Sequence, residues 1–201
     1  MKRERQGFLP ITIAILLLTA GFCLLYAESA ESREKGPPQP VLFSHKIHAG
    51  DNQIECQTCH SYTEVSPHPG IPSVKKCMGC HSYVAGRDVE YTTKEGQKIN
   101  IREEINKVKG YWNRQEPIPW VKVTGMYGTN SAGMPEFVRF NHKRHIKRGF
   151  ECSTCHGEVE KMDVVHKAKD LTMGFCISCH EENADNEEHK TELKDCLTCH
   201  Y

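Results

Sequence analysis

Five copies of Cys-x-x-Cys-His, a scarcity of aliphatic residues after residue 30 and one 19-residue apolar stretch near the N-terminus predict the fold class of this 201-residue chain. Together they describe short helices and irregular chain around stacked haems, with little sheet, plus one N-terminal transmembrane helix. The copies are Cys56/Cys59/His60, Cys77/Cys80/His81, Cys152/Cys155/His156, Cys176/Cys179/His180 and Cys196/Cys199/His200. In each, two thiols three residues apart can form thioethers to the vinyl groups of a haem, and the adjacent His binds iron from the proximal side. The Cys and His frequencies of the chain predict about 0.04 chance matches to this pattern, so five are not an accident of composition. Ten of the eleven cysteines are used in this way. Cys23 stands alone in the apolar stretch, and no thiols remain for a disulfide framework. Zinc also uses Cys-x-x-Cys, but five pairs do not group evenly into four-ligand sites, and zinc gives no reason for a His after every second Cys.

The remaining composition fits this picture. Ile, Leu, Val and Phe are too sparse beyond residue 30 for a conventional core, so porphyrin faces are expected to supply the missing apolar surface and the haem-free polypeptide to be largely unfolded. Acidic and basic residues balance at 26 each, which excludes the basic footprint of a nucleic-acid-binding protein. Two propionates on every haem would make the loaded protein more acidic than its polypeptide.

Phe8 to Tyr26 carries no charge and is long enough to span a bilayer as a helix. Lys2, Arg3 and Arg5 precede it and should stay in the cytoplasm, which sends the rest of the chain to the periplasmic side of the inner membrane. A cleaved signal peptide is the alternative, although Leu25-Tyr26-Ala27 is a poor small-x-small cleavage site. The expected organisation is a basic flank (1–7), the anchor (8–26), a tether (27–40) held extended by Pro37, Pro38 and Pro40, a first di-haem module (41–83), a haem-free segment (84–136), a second di-haem module (137–181) and a fifth-haem unit (182–201).

The modules are an internal repeat. Phe43-x-His45-x-x-His48 precedes Cys56, and Phe140-x-His142-x-x-His145 precedes Cys152. Another His follows each first motif, His68 or His166, before the second motif begins. Five six-coordinate irons need five ligands beyond the motif histidines, and seven are present: His45, His48, His68, His142, His145, His166 and His189. On a helical turn, His-x-x-His projects both rings from one face, so each ring can address a different haem. His45 and His142 are assigned to the haems at Cys56 and Cys152, and His48 and His145 to those at Cys77 and Cys176. His166 is assigned to the fifth, with His68 and His189 as competitors. Six-coordinate bis-His iron transfers electrons but offers no open position to a substrate, so no catalytic residue is expected.

The haem-free segment needs another organiser. Ile99, Ile105 and Val108 among charged neighbours suit a short surface helix. Pro117-Ile118-Pro119-Trp120 enforces an extended path, and Gly125, Gly128 and Gly133 suggest a flexible loop. The segment reads either as a plain linker or as a docking surface presenting Tyr111, Trp112 and Trp120.

Phe-x-His-x-x-His ahead of Cys-x-x-Cys-His resembles the class III cytochrome c group, the small multihaem cytochromes of the c3 and c7 type. Pro117-Ile118-Pro119-Trp120-Val121, the segment from Pro135 to His145, and Met173-Gly174-Phe175-Cys176 more closely resemble the membrane-anchored multihaem subunits of alternative complex III and of the related quinone reductase complex of sulfate reducers. That resemblance implies a periplasmic-side subunit with two kinds of partner, an iron-sulfur, molybdopterin-type subunit and an integral membrane subunit that holds the quinone site. A periplasmic cytochrome is a further partner it allows. The Gly-rich stretch Thr124 to Met134 departs from the group by its length. Two other electron-transfer roles fit the motifs: a free-standing membrane-anchored quinol dehydrogenase and a soluble-type c3/c7 shuttle. A multihaem nitrite reductase fits worse, because its catalytic haem commonly has Lys where all five motifs here have His.

Overall fold

The computed structural model describes residues 36–123 and 137–200, which belong to one compact unit. The expected anchor (8–26) and the Gly-rich stretch from Thr124 lie outside the described residues. Among the described residues, no helix is long and apolar enough to cross a membrane. The described chain is built from short helices and one two-stranded hairpin, in the order α1 (Lys46–Asp51, a π-helical turn), α2 (Cys56–Cys59), α3 (Val74–His81), β1 (Glu90–Thr92), β2 (Lys98–Asn100), α4 (Ile101–Asn113), α5 (His142–Lys147), α6 (Cys152–His156), α7 (Met173–Glu182), α8 (Glu187–Leu193) and α9 (Cys196–Cys199). A single 3-10 turn, Val159–Lys161, follows α6.

Local chemistry explains where the helices begin. The side chains of Asn100, Asn141, Thr172 and Asn186 accept hydrogen bonds from the backbone N–H groups of Glu103, Arg144, Phe175 and His189, which caps α4, α5, α7 and α8. Glu103 and Glu104 add negative charge to the first turn of α4, where the helix dipole favours it.

In its described part, residues 84–123, the haem-free segment forms a hairpin and a helix that pack against the first module. Its antiparallel hairpin pairs Tyr91 with Ile99 and turns through Gly96, whose φ of +81° suits glycine. Ile99 therefore lies in β2, and α4 starts two residues later. A side chain at Gly86 would meet Ile105 Cδ1 at 2.6 Å, so the chain crosses α4 closely there. Helix α4 lies on α3, and its Val108 joins Val41 and Ile118 in the central apolar cluster. Val74, Cys77, Met78, Tyr111 and Trp120 pack against that cluster, which leaves Trp112 as the more exposed of the three aromatics expected to dock. The Pro-rich run delivers Ile118 and Trp120 to this cluster. Gln39 meets the run by donating its side-chain amide to Val121 O and accepting from Val121 N, both at 2.9 Å.

Among the described residues, buried apolar side chains are few: Val41, Ile105, Val108, Ile118 and Met162. At roughly 1.5–3 kcal/mol each, they fall far short of the conformational entropy of a chain this long. One polar contact therefore matters more than usual. Asp163, fully buried, accepts from Ser44 Oγ at 2.6 Å, from Tyr91 OH at 2.8 Å and from Lys94 N at 3.1 Å. It ties the first module, the hairpin and the second module to one carboxylate. Burial by itself would raise its pKa, but the bonds from Ser44, Tyr91 and Lys94 outweigh burial and hold it below the usual value.

Two outcomes are expected. Asp163→Asn turns one acceptor into an NH2 group facing a donor, and should cost about 1–3 kcal/mol, read as a lower denaturant midpoint. Because the folded pKa is depressed, the contribution of Asp163 is complete above the ordinary carboxylate pKa of about 3.9 and is lost as pH falls through the folded value, so the wild-type advantage should vanish in acid. Haem-free polypeptide should show no cooperative thermal transition by circular dichroism, since so small a core cannot offset chain entropy.

Candidate haem sites

Each Cys-x-x-Cys either forms a helical turn of its own, as in α2, α6 and α9, or lies within α3 or α7. Residues three apart lie on one helical face, so both thiols of a pair address the same neighbouring space. All ten are free and at least partly exposed. Burial pushes the thiol pKa up at Cys59, Cys77, Cys152, Cys155 and Cys176. That is the reverse of the environment that activates a redox or metal-binding thiolate. A thioether carries no charge, so these half-buried positions suit it.

The histidines are prepared for metal binding at one nitrogen. Nδ1 of His60 donates to Gly70 O at 3.0 Å, His81 to Val84 O at 2.9 Å, His180 to Leu193 O at 3.0 Å and His200 to Phe137 O at 3.2 Å. Among the paired histidines, His48 donates to Ser44 O at 2.8 Å, His142 to Pro67 O at 3.1 Å and His145 to Asn141 O at 2.9 Å. A carbonyl only accepts, so the proton sits on Nδ1 and the Nε2 lone pair stays free for a metal.

Their spacing fits a haem between them. A metal–imidazole bond of about 2.0–2.1 Å and about 1.1 Å from nitrogen to ring centre put two rings on opposite sides of one metal about 6.3 Å apart. His48 and His81 have ring centres 6.0 Å apart, His142 and His156 6.2 Å, and His145 and His180 6.1 Å. His45 faces His60 closely enough for their charges to repel. Burial, then His60 and His48, push the His45 pKa down to about 4, and burial lowers those of His48, His142, His145 and His156. Neutral imidazole is the form that binds iron. Nδ1 of His45 and of His166 is buried without a hydrogen-bond partner.

The structure thus brings three of the five pairings read from the sequence to ring separations of about 6 Å and makes His45 an electrostatic neighbour of His60. For the fifth, the ring contact of His200 is with Phe137, at 5.5 Å, rather than with a histidine. His166 sits beside Val165, whose carbonyl lies against Gly36. His68 is an electrostatic neighbour of His142. His189 Nδ1 accepts from Asp185 N at 3.2 Å and lies 3.1 Å from the Asp185 carboxylate.

A role that sequence reading missed belongs to the phenylalanines. Phe43 stacks on His48 at 4.3 Å and meets His45 edge-on at 4.8 Å, while Phe140 stacks on His145 at 4.3 Å and meets His142 edge-on at 4.7 Å. One ring in each repeat therefore sets the angle between two imidazoles. The signal was present in the recurrence of Phe two residues before each first His.

Fold, thiol pairs and opposed histidines define a multihaem cytochrome c, and the chain belongs to the class III/c7 type. Residues 25–99 match the class III cytochrome C family, and residues 138–201 match cytochrome c7 and related cytochrome c. The chain is 30% identical over 160 residues to the "Menaquinone reductase, multiheme cytochrome c subunit" of Nitratidesulfovibrio vulgaris. The match covers 80% of this chain and 60% of that relative's length.

Removing the positioning ring should disturb ligand angles without removing ligands. Phe43→Ala and Phe140→Ala proteins are expected to keep a full haem count by intact mass. Each should show altered low-spin signals for two haems in electron paramagnetic resonance, and Phe43→Leu or Phe140→Leu should restore less than half of the change.

Proposed function

We propose that the chain transfers electrons through five covalently bound c-type haems, as the cytochrome subunit of a membrane quinol/quinone oxidoreductase complex. The observation that carries this reading is the set of opposed histidine pairs, each beside a Cys-x-x-Cys. Cys56 and Cys59, Cys77 and Cys80, Cys152 and Cys155, Cys176 and Cys179, and Cys196 and Cys199 would form the thioethers. His60, His81, His156, His180 and His200 would be the proximal ligands. His45, His48, His142 and His145 would be the distal ligands of the first four haems, and His166 that of the fifth. A bound haem supplies a one-electron ferric/ferrous couple.

The polypeptide would hold each iron between two imidazoles; burial favours the neutral form of His45, His48, His142, His145 and His156, and backbone carbonyls fix the tautomer of His48, His60, His81, His142, His145, His180 and His200. Two histidines on each iron would leave no place for substrate, so on this reading the subunit carries electrons and catalyses nothing itself. The name of the relative supports a quinone-linked complex. On this reading Phe8–Tyr26 anchors the chain in the inner membrane by a single pass. The haem region then works on the periplasmic side beside an iron-sulfur, molybdopterin-type subunit and an integral quinone-binding subunit. Trp112 and the neighbouring groove lined by Ile71, Val74, Ile118 and Trp120 would be part of the docking segment.

The test is made on membrane-extracted native protein. Intact mass is expected to show five haems and an uncleaved N-terminus, and mild purification should recover the chain with other subunits. Ferrous protein should not bind carbon monoxide, whereas His48→Ala or His145→Ala should each create one carbon monoxide-binding haem. A colourless product, or a wild type that binds carbon monoxide stoichiometrically, would overturn the reading.

A further inference from the structure

We propose that the haem-binding motifs run through the molecule out of sequence order, as Cys77, Cys56, Cys152, Cys176 and Cys196, with the two repeat units joined head to head at their first motifs. This rests on the haem-carrying function proposed above and goes beyond it by naming the neighbours of every motif and the two ends of the row.

Within each unit, one turn links two motifs. His45 is an electrostatic neighbour of His60 while His48, on the same turn, has its ring 6.0 Å from that of His81, so the Cys56 and Cys77 motifs are neighbours. His142 faces His156 and His145 faces His180, so the Cys152 and Cys176 motifs are neighbours in the same way. The thiols agree: Cys59 lies against Cys77 and Cys80, and Cys155 lies against Cys179.

The junction between units is made by equivalent residues. The Cys56 and Cys152 side chains are neighbours, and so are the His60 and His156 rings electrostatically. Like positions meet in this way beside a two-fold axis, as in an isologous dimer interface. The flanking contacts are reciprocal. The paired-His turn of the first unit packs on the loop after the Cys152 motif, through Lys46 N to Met162 O at 2.9 Å and Ser44 Oγ to Asp163 at 2.6 Å. The paired-His turn of the second unit packs on the loop after the Cys56 motif, through His142 N and Nδ1 to Pro67 O at 3.2 and 3.1 Å.

The ends follow. The Cys196 motif is joined to the Cys176 motif by packing of α8 on α7, by His180 Nδ1 donating to Leu193 O, by the 2.9 Å ion pair of Lys194 with Glu181, and by Cys199 beside Cys176. At the other end, the Cys77 motif packs on α4 and the Val41, Val108 and Ile118 cluster. The first motif of the sequence is therefore second in space, and redox partners would address the Cys77 and Cys196 ends.

Distances between gadolinium spin labels test the order, measured by pulsed electron paramagnetic resonance on the reduced, diamagnetic holoprotein carrying Cys23→Ser. Three label pairs suffice, all at exposed positions outside the motifs: Tyr62→Cys with Glu158→Cys, Tyr83→Cys with Glu158→Cys, and Tyr83→Cys with Glu187→Cys. The first pair stands at equivalent positions two residues past His60 and His156 and should be the shortest, and the third should be the longest. A second pair as short as the first would overturn the order, because the units would then meet through the Cys77 motif. If Tyr62→Cys protein does not mature, Val65→Cys takes its place, read by the same comparison. Intact mass keeps the two ideas separable: fewer than five haems in the parent protein would overturn the proposed function and the order with it, whereas five haems with the wrong ranking would overturn the order alone.

Discussion

Two imidazoles held about 6 Å apart, with both Nδ1 atoms committed to backbone carbonyls in the His48–His81 and His145–His180 pairs, leave a gap faced by two Nε2 lone pairs. Burial favours the neutral, iron-binding form of His48, His142, His145 and His156 in these pairs. Around the gap the polypeptide places very little else. Among the described residues, Val41, Val108 and Ile118 form one small apolar cluster near α3 and α4, to which the second repeat contributes no buried residue. The arrangement makes sense when flat, apolar prosthetic groups take the place of a core and covalent thioethers keep them there.

That constraint also explains why the connecting parts are ordered. A repeat of this length cannot bury enough surface alone, so the units must lean on each other. Asp163 is the polar hub of that contact, gathering Ser44 from the first repeat and Tyr91 and Lys94 from the segment between the repeats. The segment between the repeats supplies two of those donors and, through Val108 and Ile118, much of the apolar cluster. It acts as a buttress for the Cys77 motif as well as a connection.

Much of the site was legible from residue spacing, because covalent attachment and i, i+3 geometry are local. The thiol pairs, their adjacent histidines and the shared face of the two rings in each His-x-x-His all follow from a few neighbouring residues. The helix from Ile105 to Val108 was legible as a helix, but not its burial, because its partner Val41 lies more than 60 residues away. Ile99 was misplaced in that helix, since an apolar residue flanked by Lys98 and Asn100 has no periodicity to separate strand from helix. Tyr111 and Trp120 read as exposed anchors, and the structure instead packs both against the cluster, since aromatic character alone does not say which face is covered.

From its own residues the chain determines how many haem-attachment motifs it carries, which nitrogen-bearing side chains can reach a ring within each repeat, and that little else could hold it folded. Those properties depend on bonds and turns spanning a few residues. Only the tertiary structure decides that the repeats meet through Cys56 and Cys152, that Asp163 closes the contact and that the Cys77 motif stands at one end. These depend on surfaces brought together across about a hundred residues, and no local spacing encodes which faces will meet.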